Sequence, residues 1–332
     1  MIRMKSLPAF RGLLTGMAFA SLSACMPAPD TETDAEPLAP MSVSGGLWIE
    51  LSPVIVAANN FYPVKVPVNE GGVRSITAGD ALVATNAETQ LLRESVDNPD
   101  LRIIMTVTES FYRLVGKRSA GIESLADLAG KRVIVPRSTS ANYYLVAMLE
   151  SVGLAESDVE LIPFPTADNV RTAMDMMSDA VINGEADVVA IWEPEAEDAI
   201  LDLGDDAIVL QDRSVYREVF NLHTTATALA DPEQRRAIVA FVRAIVDATE
   251  ALQADPAPYW PQVADRIGYP VSDIEASWGE MEFPIRIVPD MLDVLEKEEV
   301  WVAKERDRQP RSREELAGLI DYSVLEEVLG SR

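Results

Sequence analysis

Lys131-Arg132-Val133-Ile134-Val135-Pro136-Arg137-Ser138-Thr139-Ser140-Ala141-Asn142-Tyr143-Tyr144-Leu145 is the stretch on which the reading of this chain turns. Arg132–Val135 is a short β-branched run of the kind that fills a buried strand. Beyond it, Leu145, Met148, Leu149 and Val152 recur at helical spacing. Ser138, Thr139 and Ser140 join the two. One hydroxyl is enough to cap a helix, and three exceed that need. They stand at a helix start, whose free N–H groups and dipole favour an anion or a hydrogen-bond acceptor. Two successive tyrosines diverge by roughly 100° on a helix. Tyr143, one turn from Thr139, is the one expected to face a cleft.

Outward from this stretch, strand-like and helix-like pieces alternate. Val64–Val68, Ala81–Thr85, Arg102–Thr108, Tyr112–Val115, Glu160–Pro163 and Val188–Ile191 read as further strands. Glu88–Val96, Tyr143–Val152 and Val170–Ile182 read as helices, the last with Ala173, Met176, Met177 and Val181 on one face. Such alternation predicts an α/β layered fold with a largely parallel sheet. After about residue 230 the pattern is helical, over Pro232–Ala254, Pro258–Ile267, Pro289–Arg306 and Ser312–Leu329. Asp231-Pro232-Glu233 supplies an N-cap, a proline at the first helical position and an acid in the first turn.

The N-terminal residues are a separate device. Arg3, Lys5 and Arg11 precede a short apolar run, Gly12–Ala20, and then Leu22-Ser23-Ala24-Cys25. This has the form of a secretory signal, too short for a spanning helix. Its end resembles the bacterial lipobox, in which the cysteine is lipidated, so Cys25 is the expected lipidation site. Residues 26–44, rich in Pro, Ala, Thr, Asp and Glu, read as a disordered tether. Folded sequence is expected from Leu47-Trp48-Ile49, taken as the first strand. The expected location is therefore outside the cytoplasm, on the periplasmic or cell-surface face, held to a membrane through Cys25 alone.

With 28 Lys+Arg against 54 Asp+Glu the chain carries a net charge of -26, and losing three signal-peptide cations takes this to -29. A basic face for nucleic acid is missing. One histidine and one cysteine, already assigned to lipid, exclude a His/Cys zinc site and a thiol nucleophile. No Gly-x-Ser-x-Gly elbow, Walker loop or Gly-x-Gly-x-x-Gly follows a strand. No catalytic residue, metal or cofactor is expected, and binding is the default reading.

Three segments carry a family resemblance. Gly121-Ile122-Glu123-Ser124-Leu125-Ala126-Asp127-Leu128-Ala129-Gly130-Lys131-Arg132-Val133 is similar to a recurring segment of ABC-importer solute-binding proteins. Tyr143 to Leu154 followed by Asp158-Val159 resembles their next helix and turn. Ile182-Asn183-Gly184-Glu185-Ala186-Asp187-Val188 through Ile191-Trp192-Glu193-Pro194 resembles a third. In this order they resemble the nitrate/sulfonate/taurine group (SsuA/TauA, NMT1/THI5-like), best over residues 80–200. The segment Asn69–Ile76 is short for that family, so a helix there is expected to be curtailed or missing.

The resemblance implies a type II periplasmic-binding-protein fold, with two α/β lobes, a hinge and an interlobe ligand cleft. Lobe 1 would span 45–115 and 216–332, and lobe 2 would span 116–215. Ligand contacts are expected from Ser138, Thr139, Ser140, Tyr143, Trp192 and Glu193 of lobe 2. From lobe 1 come Ser52, Asn86, Glu88, Thr108, Glu109, Ser110, Asn221 and His223. The implied function is capture of a small organic solute and its delivery to an ABC permease and ATPase by a monomeric lipoprotein. A sulfonate-, taurine- or nitrate-like anion would use the helix amides with Arg113 or Arg137. The acids Glu88, Glu109 and Glu193 instead suit a hydrogen-bond donor such as a thiamine-precursor pyrimidine. The alternatives are a sensory or adaptor lipoprotein and an enzyme on the same fold.

Overall fold

The computed structural model describes residues 37–331. The expected signal peptide, Cys25 and residues 26–36 of the expected tether lie outside the described residues. Eleven strands are found among those described: β1 (Val43–Gly45), β2 (Val68–Glu70), β3 (Val83–Ala87), β4 (Leu101–Ser110), β5 (Arg113–Lys117), β6 (Arg132–Ile134), β7 (Glu160–Ile162), β8 (Val188–Ile191), β9 (Ala207–Leu210), β10 (Glu218–Thr225) and β11 (Met281–Glu282). They form two sheets, ordered β11-β4-β10-β3-β1-β2 and β7-β6-β8-β5-β9. Each sheet has its own buried apolar cluster. Trp48 and Trp301 pack against both clusters.

The chain changes sheet twice among the described residues. It leaves β4 through Phe111 and Tyr112 to enter β5, and it returns from β9 to β10 through residues 211–217. The first crossing therefore falls at 111–112, ahead of the expected boundary at 115/116, and the second, 211–217, contains the expected boundary at 215/216. Arg113, Leu114 and Val115 already pair with Ile191, Ala190 and Val189 of the second sheet.

The strands joined by helices are parallel, β1 with β2 and β3, and β6 with β7 and β8. The crossing strands are antiparallel: β10 to β3 and β4, and β5 to β8 and β9. Both sheets are thus mixed rather than largely parallel. A strand that returns from the other sheet comes in head-to-tail and needs no crossover helix.

Several elements differ from their expected bounds for local reasons. Leu47-Trp48-Ile49 is not a strand. The first strand is β1, which lies partly inside the expected tether, and Ser52-Pro53 opens the helix Ser52–Val56. Pairing in the Val64–Val68 run begins only at Val68, after Pro67, which has no N–H to give a ladder. Met176 is exposed, and Met174 and Ser178 share the buried face with Ala173, Met177 and Val181 instead. Ser312–Leu329 is two helices, Arg313–Ala317 and Ser323–Gly330, because Ile320 between them bridges to Ile103. A five-residue helix, Val73–Thr77, persists in the short Asn69–Ile76 region. It is docked by a hydrogen bond from Val73 N–H to the Asn86 side-chain oxygen (3.0 Å), and a Cβ at Gly72 would collide with that amide.

Two of the long helices start and stop as their termini dictate. The Asp231 carboxylate accepts from the N–H groups of Glu233 and Gln234 (2.9 Å each) at the head of Pro232–Ala254. The helix Ser140–Ser151 begins directly at the end of the loop after β6, with all of its first ten residues buried.

Candidate functional site

The carboxyl ends of β3, β4, β6 and β8 and the start of β10 converge between the two sheets, the usual place for ligand in open α/β sheets. There Trp48, Glu50, Asn86, Ala87, Gln90, Tyr112, Thr139, Ser140, Trp192, Glu218 and Phe220 line a cavity of about 140 Å³. The indoles of Trp48 and Trp192 meet edge to face with ring centroids 5.1 Å apart. Tyr112, in the first crossing, lies 6.3 Å from Trp192 and 5.8 Å from both Tyr144 and Tyr216.

Polar groups from both sheets meet at this wall. The Ser140 hydroxyl donates to Glu218 (3.2 Å) and stands 3.0 Å from the Tyr112 hydroxyl. Gln90 donates to the Ser138 carbonyl oxygen (3.3 Å), tying the helix Glu88–Glu94 to the loop after β6. Glu50 accepts from the Ser110 hydroxyl (3.2 Å), while Thr108 donates to the Glu50 carbonyl (2.7 Å). Glu50, Glu218 and Trp192 are 2%, 3% and 7% exposed, yet Glu50 Oε2, Glu218 Oε2 and Trp192 Nε1 have no partner among the described residues. Buried polar atoms are rarely left in that state.

Burial sets the protonation of these acids. It raises the Glu50 carboxyl from 4.5 to about 8, against the pull of its own backbone N–H and Ser110, with the charge of Glu193 adding to the rise. Burial also raises Glu218 well above the carboxylate range, reinforced by the charges of Glu50 and Glu88. Glu88 and Glu298 are likewise raised, chiefly by burial, and hydrogen-bond to each other. Like charges this close cannot all ionise. Glu50, Glu218, Glu88 and Glu298 therefore form a seam along the inter-sheet junction in which burial favours the protonated carboxyl.

The expected site residues divide between the cavity and its support. Thr139, Ser140, Trp192 and Asn86 line the cavity. Ser138 lies beside it, exposed, in the left-handed region (φ 61°), its N–H held by Asn142 (3.1 Å). A non-glycine residue there costs about 1–3 kcal/mol. The Thr139 hydroxyl donates to the Pro136 carbonyl (2.7 Å), so it closes the loop instead of capping the helix. Tyr143 faces a second cavity of about 220 Å³, shared with the second crossing and the helix Met291–Glu305, which no strand terminus enters.

The remaining expected residues lie behind the wall. Glu193 is fully buried against Arg113 (2.6 Å), which also holds Glu197 (2.8 Å). Glu88 accepts from the Tyr216 hydroxyl (3.0 Å) and the Val219 N–H (3.0 Å). Glu109 is paired with Arg217 and Arg286. Ser52 donates to the Ile49 carbonyl, Thr108 and Ser110 serve Glu50, and Asn221 binds Thr106 within the first sheet. His223 is buried and gives Nε2–H to the Asn86 carbonyl (3.3 Å), with burial lowering its pKa to about 4. Trp48, Glu50, Gln90, Tyr112, Glu218 and Phe220 were not foreseen. Only the tertiary fold brings these isolated residues to one place.

Two helix-bearing sheets joined by two crossings, with a cavity at the strand ends between them, define the type II periplasmic-binding-protein fold. The periplasmic aliphatic sulphonate binding protein SsuA from Escherichia coli has this architecture, with a TM-score of 0.68 and 14% identity, covering 85% of this chain and 98% of that one. The alkanesulfonate-binding protein SsuA from Xanthomonas axonopodis pv. citri, bound to MOPS, matches at 0.63 with 16% identity over 86% of this chain and all of that one (100%). The desulfurization enzyme DSZB matches at 0.59 with 15% identity over 88% of this chain and 99% of that one. No curated protein matches the chain in sequence. The NMT1/THI5-like family profile matches residues 64–258, more than half of the chain, and the protein belongs to that family.

Proposed function

We propose that the protein is the extracytoplasmic solute-binding component of an ABC importer. It captures a small organic solute between two lobes and hands it to a permease and its ATPase. The first lobe is built from both ends of the folded chain and the second from residues 113–210. The observation that carries this reading is the cavity itself, which draws its wall from both sheets and from the first crossing, so that rotation about the crossings would open and close it. Thr139, Ser140, Trp192 and Asn86 are the proposed contacts from the sequence reading, joined by Trp48, Glu50, Tyr112 and Glu218. Cys25 carries the lipid that holds the protein at the outer face of a membrane, and among the described residues no helix is long and apolar enough to cross one.

A binding role is favoured over catalysis by the chemistry of the wall. Its lining holds no histidine, lysine or cysteine, and His223, the one histidine, is held in the sheet with Nε2 on a backbone carbonyl. The relationship to a desulfurization enzyme keeps turnover as the competing reading. Thermal-shift screening of the full chain against a broad metabolite panel, followed by calorimetry and product analysis of each hit, tests both. Unchanged recovery of a stabilising ligand supports the binder, and conversion of it, or no hit at all, overturns this reading.

A further inference from the structure

We infer that the solute taken by this cleft is a small organic ammonium ion, held by Glu50 and Glu218 within the rings of Trp48, Tyr112 and Trp192. This rests on the solute-binding role proposed above and names its substrate class.

The argument begins with what the wall offers. Its lining side chains include two acids, three large π-systems and Phe220, with no lysine, arginine or histidine among them. A sulfonate or other anion in so enclosed a place needs cationic or multiple N–H partners. The position it would seek, the amino end of the helix Ser140–Ser151, is already held by the protein's own Glu218 through the Ser140 hydroxyl. Glu50 Oε2 and Glu218 Oε2, each on a side chain at most 3% exposed, are acceptors left without partners. An ammonium group supplies N–H donors to both oxygens and a positive charge that favours the ionised carboxylate. The rings of Trp48, Tyr112 and Trp192 add attraction for a desolvated cation through their π-electron density.

Size and chemistry narrow the occupant further. A cavity of roughly 150 Å³ accommodates a molecule the size of benzene, and this one encloses about 140 Å³. Among the described residues no group of three or more metal-ligating side chains is gathered, so a bare divalent ion lacks its ligand set. Glu50 is faced by the Ser110 hydroxyl, Glu193, Tyr112 and Glu218. In the empty protein these surroundings keep it protonated at neutral pH, and a cation entering beside it displaces that proton to solvent.

Isothermal titration of the full chain tests this with choline, tetramethylammonium and agmatine against taurine, ethanesulfonate and the neutral choline analogue 3,3-dimethylbutan-1-ol. At least one ammonium compound is expected to bind, with the sulfonates and the neutral alcohol at least tenfold weaker. Heats in two buffers of different ionisation enthalpy should show proton release on binding near pH 7. Glu50→Gln and Glu218→Gln should each weaken binding tenfold or more, with near-ultraviolet circular dichroism confirming the fold. Trp48→Leu, which leaves both acids in place, should weaken the quaternary ions most. A sulfonate or the neutral alcohol binding as tightly as the ammonium compounds, or Gln variants that bind like the wild type, overturns the inference and leaves the solute-binding role standing. If a broad metabolite panel also yields no ligand, the proposed role falls, and the inference with it.

Discussion

The protonated seam makes the ligand-free protein lose stability as pH rises, and Glu50→Gln isolates one member of it. The Glu50 carboxyl titrates at 4.5 when unfolded and at about 8 when folded. Below pH 4.5 both states carry the proton and the group costs nothing. Between 4.5 and 8 the unfolded chain ionises while the folded protein holds its proton, so each pH unit favours unfolding by about 1.4 kcal/mol. Above pH 8 the loss is complete, on the order of 5 kcal/mol, a large part of the stability of a typical domain. Glutamine keeps the shape of the protonated acid and cannot ionise. The difference in unfolding free energy between Glu50→Gln and wild type should therefore be near zero at pH 4.5 and grow in favour of the variant up to pH 8. Glu218 titrates in both proteins, and loses the repulsion of Glu50 in the variant, which adds to the same trend. Urea unfolding followed by tryptophan fluorescence at pH 5, 6, 7 and 8 measures the difference, with equal m-values as the two-state check. A gap that does not change with pH refutes the assignment of a buried, protonated Glu50.

His223 carries the opposite sign. Its folded pKa of about 4 lies below the free value of 6.5, so its contribution of about 3 kcal/mol is present above pH 6.5 and is lost as pH falls to 4; His223→Gln should flatten the acid limb of the stability profile from pH 6.5 to 4. Arg113→Met strips the cation from the fully buried Glu193 and should cost about 3–5 kcal/mol, with much of it recovered in Arg113→Met/Glu193→Met, as read by urea midpoints of both variants. Asp231→Ala leaves the Glu233 and Gln234 N–H groups without their acceptor and should cost about 1 kcal/mol, a fall of a few degrees in Tm that Asp231→Ser largely restores.

Much of the local architecture was legible because it depends on near neighbours in the chain. Val188–Ile191, Val170–Ile182 and Pro232–Ala254 occupy the ranges that periodicity and capping assign to them. The fold class follows from their alternation together with the family segments. β10 was harder to see, since Asn221 and His223 interrupt its apolar run. Asn221 is buried against Thr106 and the Val219 carbonyl inside the first sheet, and His223 is buried there with Nε2 on the Asn86 carbonyl and Nδ1 without a partner among the described residues. The antiparallel entry of β5 and β10 was equally hidden, because strand direction depends on which sheet receives the strand.

The cleft divides the same way. The hydroxyl-rich turn before Ser140 and the tryptophan after β8 could be picked out, as each sits at a strand end, and both line the cavity. The partners opposite them could not. Glu50 and Glu218 are two acids among 54 acidic residues, and nothing near them in sequence marks either as buried. By itself the sequence determined many of the elements, their alternation and two of the strand ends that line the cavity, since hydrophobic period and helix capping are short-range. Only the tertiary structure decided which acids face that cavity. Burial and the packing of acid against acid arise between residues as far apart as Glu50 and Glu218, and they turned a helix start suited to an anion into one already held by a carboxyl of the protein.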